Sequence, residues 1–196
     1  MLSIVLPMSI FALAASITPG PVNLVCLSTG IRRSIPQGLV FVTGATLGFV
    51  VLFLGIGFGL NSLLTSLPGF ERWLNWAAIG FLLFLSYRLA RDDGGIPDDA
   101  RHESSGFVTG ALMQWLNPKA WLASIAGIGA YTNGGDASLV WLFAALYLPI
   151  CWLSLSCWVY AGAFLRHLVR RPAILRGINR TLAALLAASC SLFLLD

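Results

Sequence analysis

Residues 11–33 read FALAASITPGPVNLVCLSTGIRR. An apolar run long enough to cross a membrane is interrupted at its middle by Thr18-Pro19-Gly20-Pro21, where two prolines lack the N–H that a continuous helix needs. A second interruption, Asn117-Pro118-Lys119, falls inside the apolar run 106–131. A bilayer offers no water to the N–H and C=O groups set free by such a break. Breaks are therefore tolerated only where protein buries them or where they border a cavity. The two broken runs mark a binding site, and the rest of the chain is read around them.

The composition sets the class. Of 196 residues 58% are hydrophobic and 10% charged, with a mean hydropathy of +0.84, whereas soluble chains carry about 25% charge. This is the make-up of an all-α integral membrane protein. At about 20 apolar residues per span, six spans are expected: 2–30, 38–60, 73–89, 106–131, 139–164 and 181–195. The last is short, about 22 Å of helix against a core of about 30 Å, and spans only if Arg176 and Arg180 snorkel to the headgroups. The first is expected to stay in the protein, not to be cleaved as a signal peptide, because no Lys or Arg precedes it and its apolar run continues past Ala12-Leu13-Ala14.

Basic residues follow alternate loops. Arg32 and Arg33, then Arg88, Arg91 and Arg101, then Arg166, Arg170, Arg171, Arg176 and Arg180 make ten of the 12; the intervening loops hold Arg72 alone. Lys and Arg stay on the cytoplasmic side, which puts both termini in the periplasm if all six segments span. The acidic stretch 92–105 then forms a cytoplasmic loop between two three-helix repeats, 1–91 and 106–196. An odd number of spans per repeat inverts the second against the first. Pro19 lies 15 residues before the turn at Ser34 and Pro118 lies 16 before Gly134, and such paired interruptions in inverted repeats point to a transporter's binding site.

The candidate binding residues are Thr18, Pro19, Gly20, Pro21 and Asn23 at the first break, and Gln114, Asn117, Pro118 and Lys119 at the second. Lys119 is the sole lysine and the one charge near the centre of a span; burying it costs at least about 2.5 kcal/mol without a partner or a wet cavity. Either it meets a substrate carboxylate or titrates, or else its stem snorkels or its ammonium ties down carbonyls freed by Pro118, with Trp115 as a cation-π neighbour. Asn117 and Gln114 have the same two readings, helix repair or contact with solute. Ser9, Ser16 and Asn23 recur at sevens along one stripe, and the helix restarting after each proline offers orphan N–H groups to a carboxylate.

Other features read as structural. Gly44, Gly48, Gly55 and Gly59 form one face suited to close helix packing. Cys26, Cys151, Cys157 and Cys190 lack metal or redox spacing and read as small core residues. The Phe and Trp side chains are expected mainly at lipid or the interface. Asp136, in the turn after the fourth span, is placed to cap the next helix. No cofactor or metal is expected, and the net charge of +4 is an orientation signal that requires no nucleic acid.

Ile17-Thr18-Pro19-Gly20-Pro21, the Gly-rich second span and Gln114-Trp115-Leu116-Asn117-Pro118-Lys119-Ala120-Trp121 together resemble the LysE/RhtB family of amino-acid exporters. The likeness covers essentially the whole chain. It implies efflux of amino acids or close derivatives across the bacterial inner membrane, driven by the proton gradient, with an amino-acid solute and the bilayer as partners and self-association into a homo-oligomer left open. Many relatives carry an ionisable residue in the second span; here residues 48–54 read GFVVLFL, and no Asp, Glu or His lies within a confident span. A divalent-metal exporter would favour the acids and histidines that are absent. An intramembrane enzyme would need a nucleophile beside a base, and a membrane scaffold would use the breaks only as kinks. Transport of an organic solute is the reading that accounts for repeat, breaks and lysine together.

Overall fold

The computed structural model describes residues 2–59, 106–132, 136–168 and 172–191, with scattered positions between 69 and 91. Seven helices lie among them. The first expected span is two helices, α1 (Leu2–Ile17) and α2 (Pro21–Arg32), bent by 60° at the break. The second is α3 (Ile35–Gly57). The fourth is again two helices, α4 (Phe107–Trp115) and α5 (Pro118–Tyr131), followed by α6 (Ala137–Leu168) and α7 (Pro172–Ser191).

Proline stands in the first turn of α2, α3 and α5, where its missing N–H is one the helix could not have paired anyway. The turn between α2 and α3 is closed by Ser34 N–H donating to Gln37 Oε1 (3.3 Å). Asp136 caps α6 as expected, accepting from Ser138 N (2.9 Å), Ser138 Oγ (2.6 Å) and Leu139 N (3.2 Å). The Ser138 hydroxyl and the Leu139 N–H hold this carboxyl below the usual carboxylate range.

By length and apolarity, α3 and residues Ala137–Arg166 of α6 can each cross a membrane, and the bent pair Ile4–Ile17 with Pro21–Arg32 can serve as one broken span. The other expected spans fall on α4 with α5, on the second half of α7 (181–191, with 192–195 outside the described residues), and on the stretch 73–89. Most of that last stretch, and the whole loop 92–105, lie outside the described residues. Where 73–89 is described, Ile79 packs with Leu182 and Ala183 of α7, and Ser86 Oγ donates to the Ala183 carbonyl (2.9 Å).

The two halves interlock through reciprocal glycines. A Cβ on Gly44 would strike the Phe107 carbonyl, one on Gly110 the Phe41 carbonyl, and one on Gly48 the Ala111 Cα at 2.7 Å, so α3 and α4 touch backbone to backbone. Across the bundle, Gly30 meets the Val159 carbonyl and Gly162 the Leu27 carbonyl, joining α2 to α6 in the same way. Close approach of this kind is how helices gain dispersion energy in lipid, where apolar burial adds nothing. The glycine face expected on α3 is confirmed at Gly44 and Gly48 but fails at Gly59, which has φ +98° and nothing near it. Gly59 follows the end of α3, where only glycine takes a left-handed conformation at no cost.

Two further expectations hold in part. Among the described residues Phe58, Phe84, Phe107, Phe164, Trp76 and Trp141 are exposed, as expected, whereas Phe41, Phe49, Phe53 and Phe143 are buried in the core. Cys26 and Cys151 are buried as expected, whereas Cys157 is exposed.

Candidate functional site

A helix of α1's length ends with four carbonyls that have no partner within it. At the first break all four are accounted for. Thr18 N–H reaches the Ala14 oxygen (3.3 Å), Thr18 Oγ1 the Ala15 oxygen (3.4 Å), Asn23 Nδ2 the Ser16 oxygen (2.9 Å) and Trp158 Nε1 the Ile17 oxygen (3.1 Å). Beyond them, Lys119 Nζ donates to the carbonyl of Thr18 (2.7 Å), to its hydroxyl (2.8 Å) and, more weakly, to the Pro19 carbonyl (3.5 Å). The lysine of the second break therefore mends the first. This corrects the expectation that its ammonium ties down carbonyls freed by Pro118, and Trp115 is not its partner; that ring packs edge-on against Trp121, 6.4 Å between centroids.

The second break repairs itself. Leu116 N–H reaches the Leu112 oxygen (3.0 Å) and Asn117 N–H the Gln114 oxygen (3.2 Å). Asn117 caps α5 by accepting from Lys119 N (3.2 Å) and steadies itself through Nδ2 on Gln114 Oε1 (3.3 Å). Trp121 Nε1 takes the Trp115 oxygen (2.8 Å).

Beside the two breaks lies a cavity of about 40 Å³, room for about three waters. One wall belongs to the breaks: Ser16, Asn23, Gln114, Asn117 and Lys119, with Val22 and the small Ala15, Ala120 and Ala123. The other comes from α3 and α6: Phe49, Tyr147, Cys151 and Leu155. The cavity thus draws on both halves of the sequence.

The electrostatics of the break wall favour an anion. Gly20 stands at the N-cap of α2 with no side-chain cap, so the positive end of that helix is left open. A Cβ on Gly20 would lie 3.1 Å from Lys119 Cδ and 3.3 Å from Nζ; the absence of a side chain is what lets the lysine lie across this helix end. Ammonium and helix N-terminus together form the kind of site that holds a carboxylate. The remaining polar groups, from Asn23, Gln114, Asn117 and Ser16, include oxygens that can accept from an ammonium. No carboxylate among the described residues lines the cavity to balance a second cation.

Of the residues expected at the site, Asn23, Gln114, Asn117 and Lys119 line the cavity. Thr18 and Pro19 are exposed and join it only as acceptors for Lys119. Gly20 supplies space, and Pro21 and Pro118 start their helices without reaching the wall. Phe49, Tyr147 and Cys151 were not singled out as site residues, nor were Trp121 and Trp158 as repair groups. For the α6 wall a signal existed: Tyr147, Cys151 and Leu155 recur every four residues on one helical face.

The chain resembles known proteins over nearly its whole length. A protein of Salmonella typhimurium (strain LT2) described as a cysteine/O-acetylserine efflux protein is 28% identical over 181 residues, 90% of each chain. A Klebsiella pneumoniae protein of the same description is 29% identical over 182 residues, 90% of this chain and 89% of its own, and one of Escherichia coli O157:H7 is 26% identical over 181, 90% of each. No solved structure matches the chain. The family model described as LysE type translocator matches residues 13–195; with its broken helices, its apolar spans and that match, this chain belongs to the LysE-type translocators, membrane transporters and not enzymes.

Proposed function

We propose that this protein exports small neutral amino acids or close derivatives, of the cysteine and O-acetylserine kind named for its relatives, across the bacterial inner membrane. The observation that carries the reading is Lys119 lying on the opposite break, 2.7 Å from the Thr18 carbonyl, at the edge of a cavity built from both halves. The substrate carboxylate goes to Lys119 and the open end of α2, its ammonium to the amide and hydroxyl oxygens. A lysine or arginine substrate would bring a second cation beside Lys119 with no acid to meet it, and a divalent metal would meet the same repulsion.

All three N–H donors of Lys119 are engaged in this structure. A carboxylate arriving there must displace at least one of them, which loosens the hold on Thr18 and Pro19 at the 60° bend. Substrate binding is in this way tied to movement of the first break. Proton coupling is assigned to the same ammonium, the one charged group among the described residues on the cavity wall. The proposal includes six spans in two inverted repeats, 1–91 and 106–196, with both termini periplasmic. It is supported by the way each long helix, α3 and α6, packs on the broken helices of the other half.

The test is efflux of a panel of labelled amino acids from proteoliposomes, with and without a pH gradient. Cysteine, serine and O-acetylserine are expected to move, faster with the gradient, and lysine and arginine to stay. Lys119→Ala should lower kcat/KM about 100-fold, roughly 2.7 kcal/mol of lost transition-state stabilisation. Equal transport of lysine would overturn the neutral-substrate reading.

A further inference from the structure

Tyr147 is 1% exposed, and its ring is boxed by Phe49 at 4.6 Å, Phe53 at 5.4 Å and Phe143 at 5.3 Å between centroids. Phenylalanine would fill that box equally well. The hydroxyl, however, has no hydrogen-bond partner among the described residues, and a buried donor left unpaired is a cost that folding alone gives no reason to bear. Tyr147 also lines the cavity, on the wall opposite in make-up to the breaks. Its neighbours on that wall are Phe49, Cys151 and Leu155, and the Cys151 sulfur already accepts from Thr46 Oγ1 (3.9 Å). The charged ends of a zwitterion are accommodated by the break wall, so its side chain falls to the α3 and α6 wall, where the phenol is the strong donor.

We propose that Tyr147 is a specificity-determining residue whose hydroxyl binds the side-chain oxygen or sulfur of the substrate. The proposal rests on the amino-acid reading above and narrows it to solutes with a hydroxyl, thiol or ester beside the β-carbon. The rigid aromatic box holds the hydroxyl in place before the substrate arrives, so little conformational entropy is lost on binding. An aliphatic side chain of equal size would leave the phenol unpaired, and a site built around such a donor discriminates against the analogue that cannot use it.

The experiment compares wild type with Tyr147→Phe for L-serine and L-2-aminobutyrate, which match in size but differ in the hydroxyl. Proteoliposome kcat/KM gives the preference ratio, and melting of the detergent-solubilised protein with each solute gives a readout independent of transport. The serine preference should fall about tenfold in Tyr147→Phe, and the extra thermal shift given by serine should shrink with it. Without solute the variant should melt no lower than wild type, since it loses only an unpaired hydroxyl. An unchanged ratio and an unchanged serine shift would overturn the assignment and leave the amino-acid reading intact. Equal loss for both solutes with a lower melting temperature would also overturn it, reducing Tyr147 to packing. If wild type neither transports nor is stabilised by either solute or any other amino acid, the amino-acid reading falls first and this assignment with it.

Discussion

The two breaks look alike in sequence and are mended in opposite ways. At Leu116 and Asn117 the repairing groups seen among the described residues come from within six residues: Asn117 on Gln114 and Lys119, Trp121 on Trp115. At Thr18 and Pro19 two of the repairing groups come from the far half of the chain, Trp158 of α6 and Lys119 of α5. A locally closed break stays closed when helices shift. One held by distant helices reports every movement between them. On the proposed function, the second break would be the platform of the site and the first its moving part.

The prolines give the largest expected contrast. Pro19 lies in the bend itself, and Pro19→Ala supplies an N–H that allows α1 to run on towards α2. Turnover should fall tenfold or more while the melting temperature holds or rises. Pro118 occupies the first turn of α5, where its N–H would be unpaired in any case, so Pro118→Ala should keep turnover within about threefold of wild type. Equal losses in the two variants would break the comparison.

The tryptophans sharpen it next. Trp121→Phe removes the bond to the Trp115 carbonyl from the buried platform, at a cost of about 1–2 kcal/mol, read as a drop of about 2–8 °C in melting temperature for a chain of this size. Trp158→Phe releases the Ile17 carbonyl at the moving break. Its signature should be a changed turnover with a smaller thermal effect. The reverse pattern, transport altered by Trp121 and stability by Trp158, would exchange the roles of platform and hinge.

Much of this was legible in the sequence because lipid makes backbone pairing a strict constraint. The breaks at Pro19 and Pro118, the cap at Asp136 and the packing of Gly44 and Gly48 all follow from local rules. So does the need for Lys119 to find a polar partner. What could not be read was which partner. Thr18 lies 101 residues from Lys119, and only the packing of α1 against α5 and α6 brings it there. The inward-facing rings of Phe49, Phe53 and Phe143 were obscured for a related reason: helices apolar on all sides show no amphipathic stripe to tell core from lipid. Tyr147 went unnoticed with them, and Cys151 was read only as a small core residue.

Gly20 gives the smallest effect and the finest probe of where the two breaks meet. Its backbone, at φ −167° and ψ 175°, is extended, so alanine fits the conformation and any consequence comes from space alone. The new methyl would sit 3.1 Å from Lys119 Cδ and 3.3 Å from Nζ. Since both belong to the far end of a flexible side chain, the lysine can give way by a few tenths of an ångström, stretching its 2.7 Å bond to the Thr18 carbonyl. Gly20→Ala should therefore raise KM about two- to threefold with little change in kcat or melting temperature. The matching control is Gly129→Ala on α5, where nothing lies within 4 Å of the added methyl; there a helical glycine is replaced by a better helix former, worth about 0.5–1 kcal/mol, so stability should rise while KM stays fixed. If Gly20→Ala leaves KM unmoved while Lys119→Ala abolishes transport, the lysine acts on substrate from some other position, and its contact with the first break belongs to folding alone.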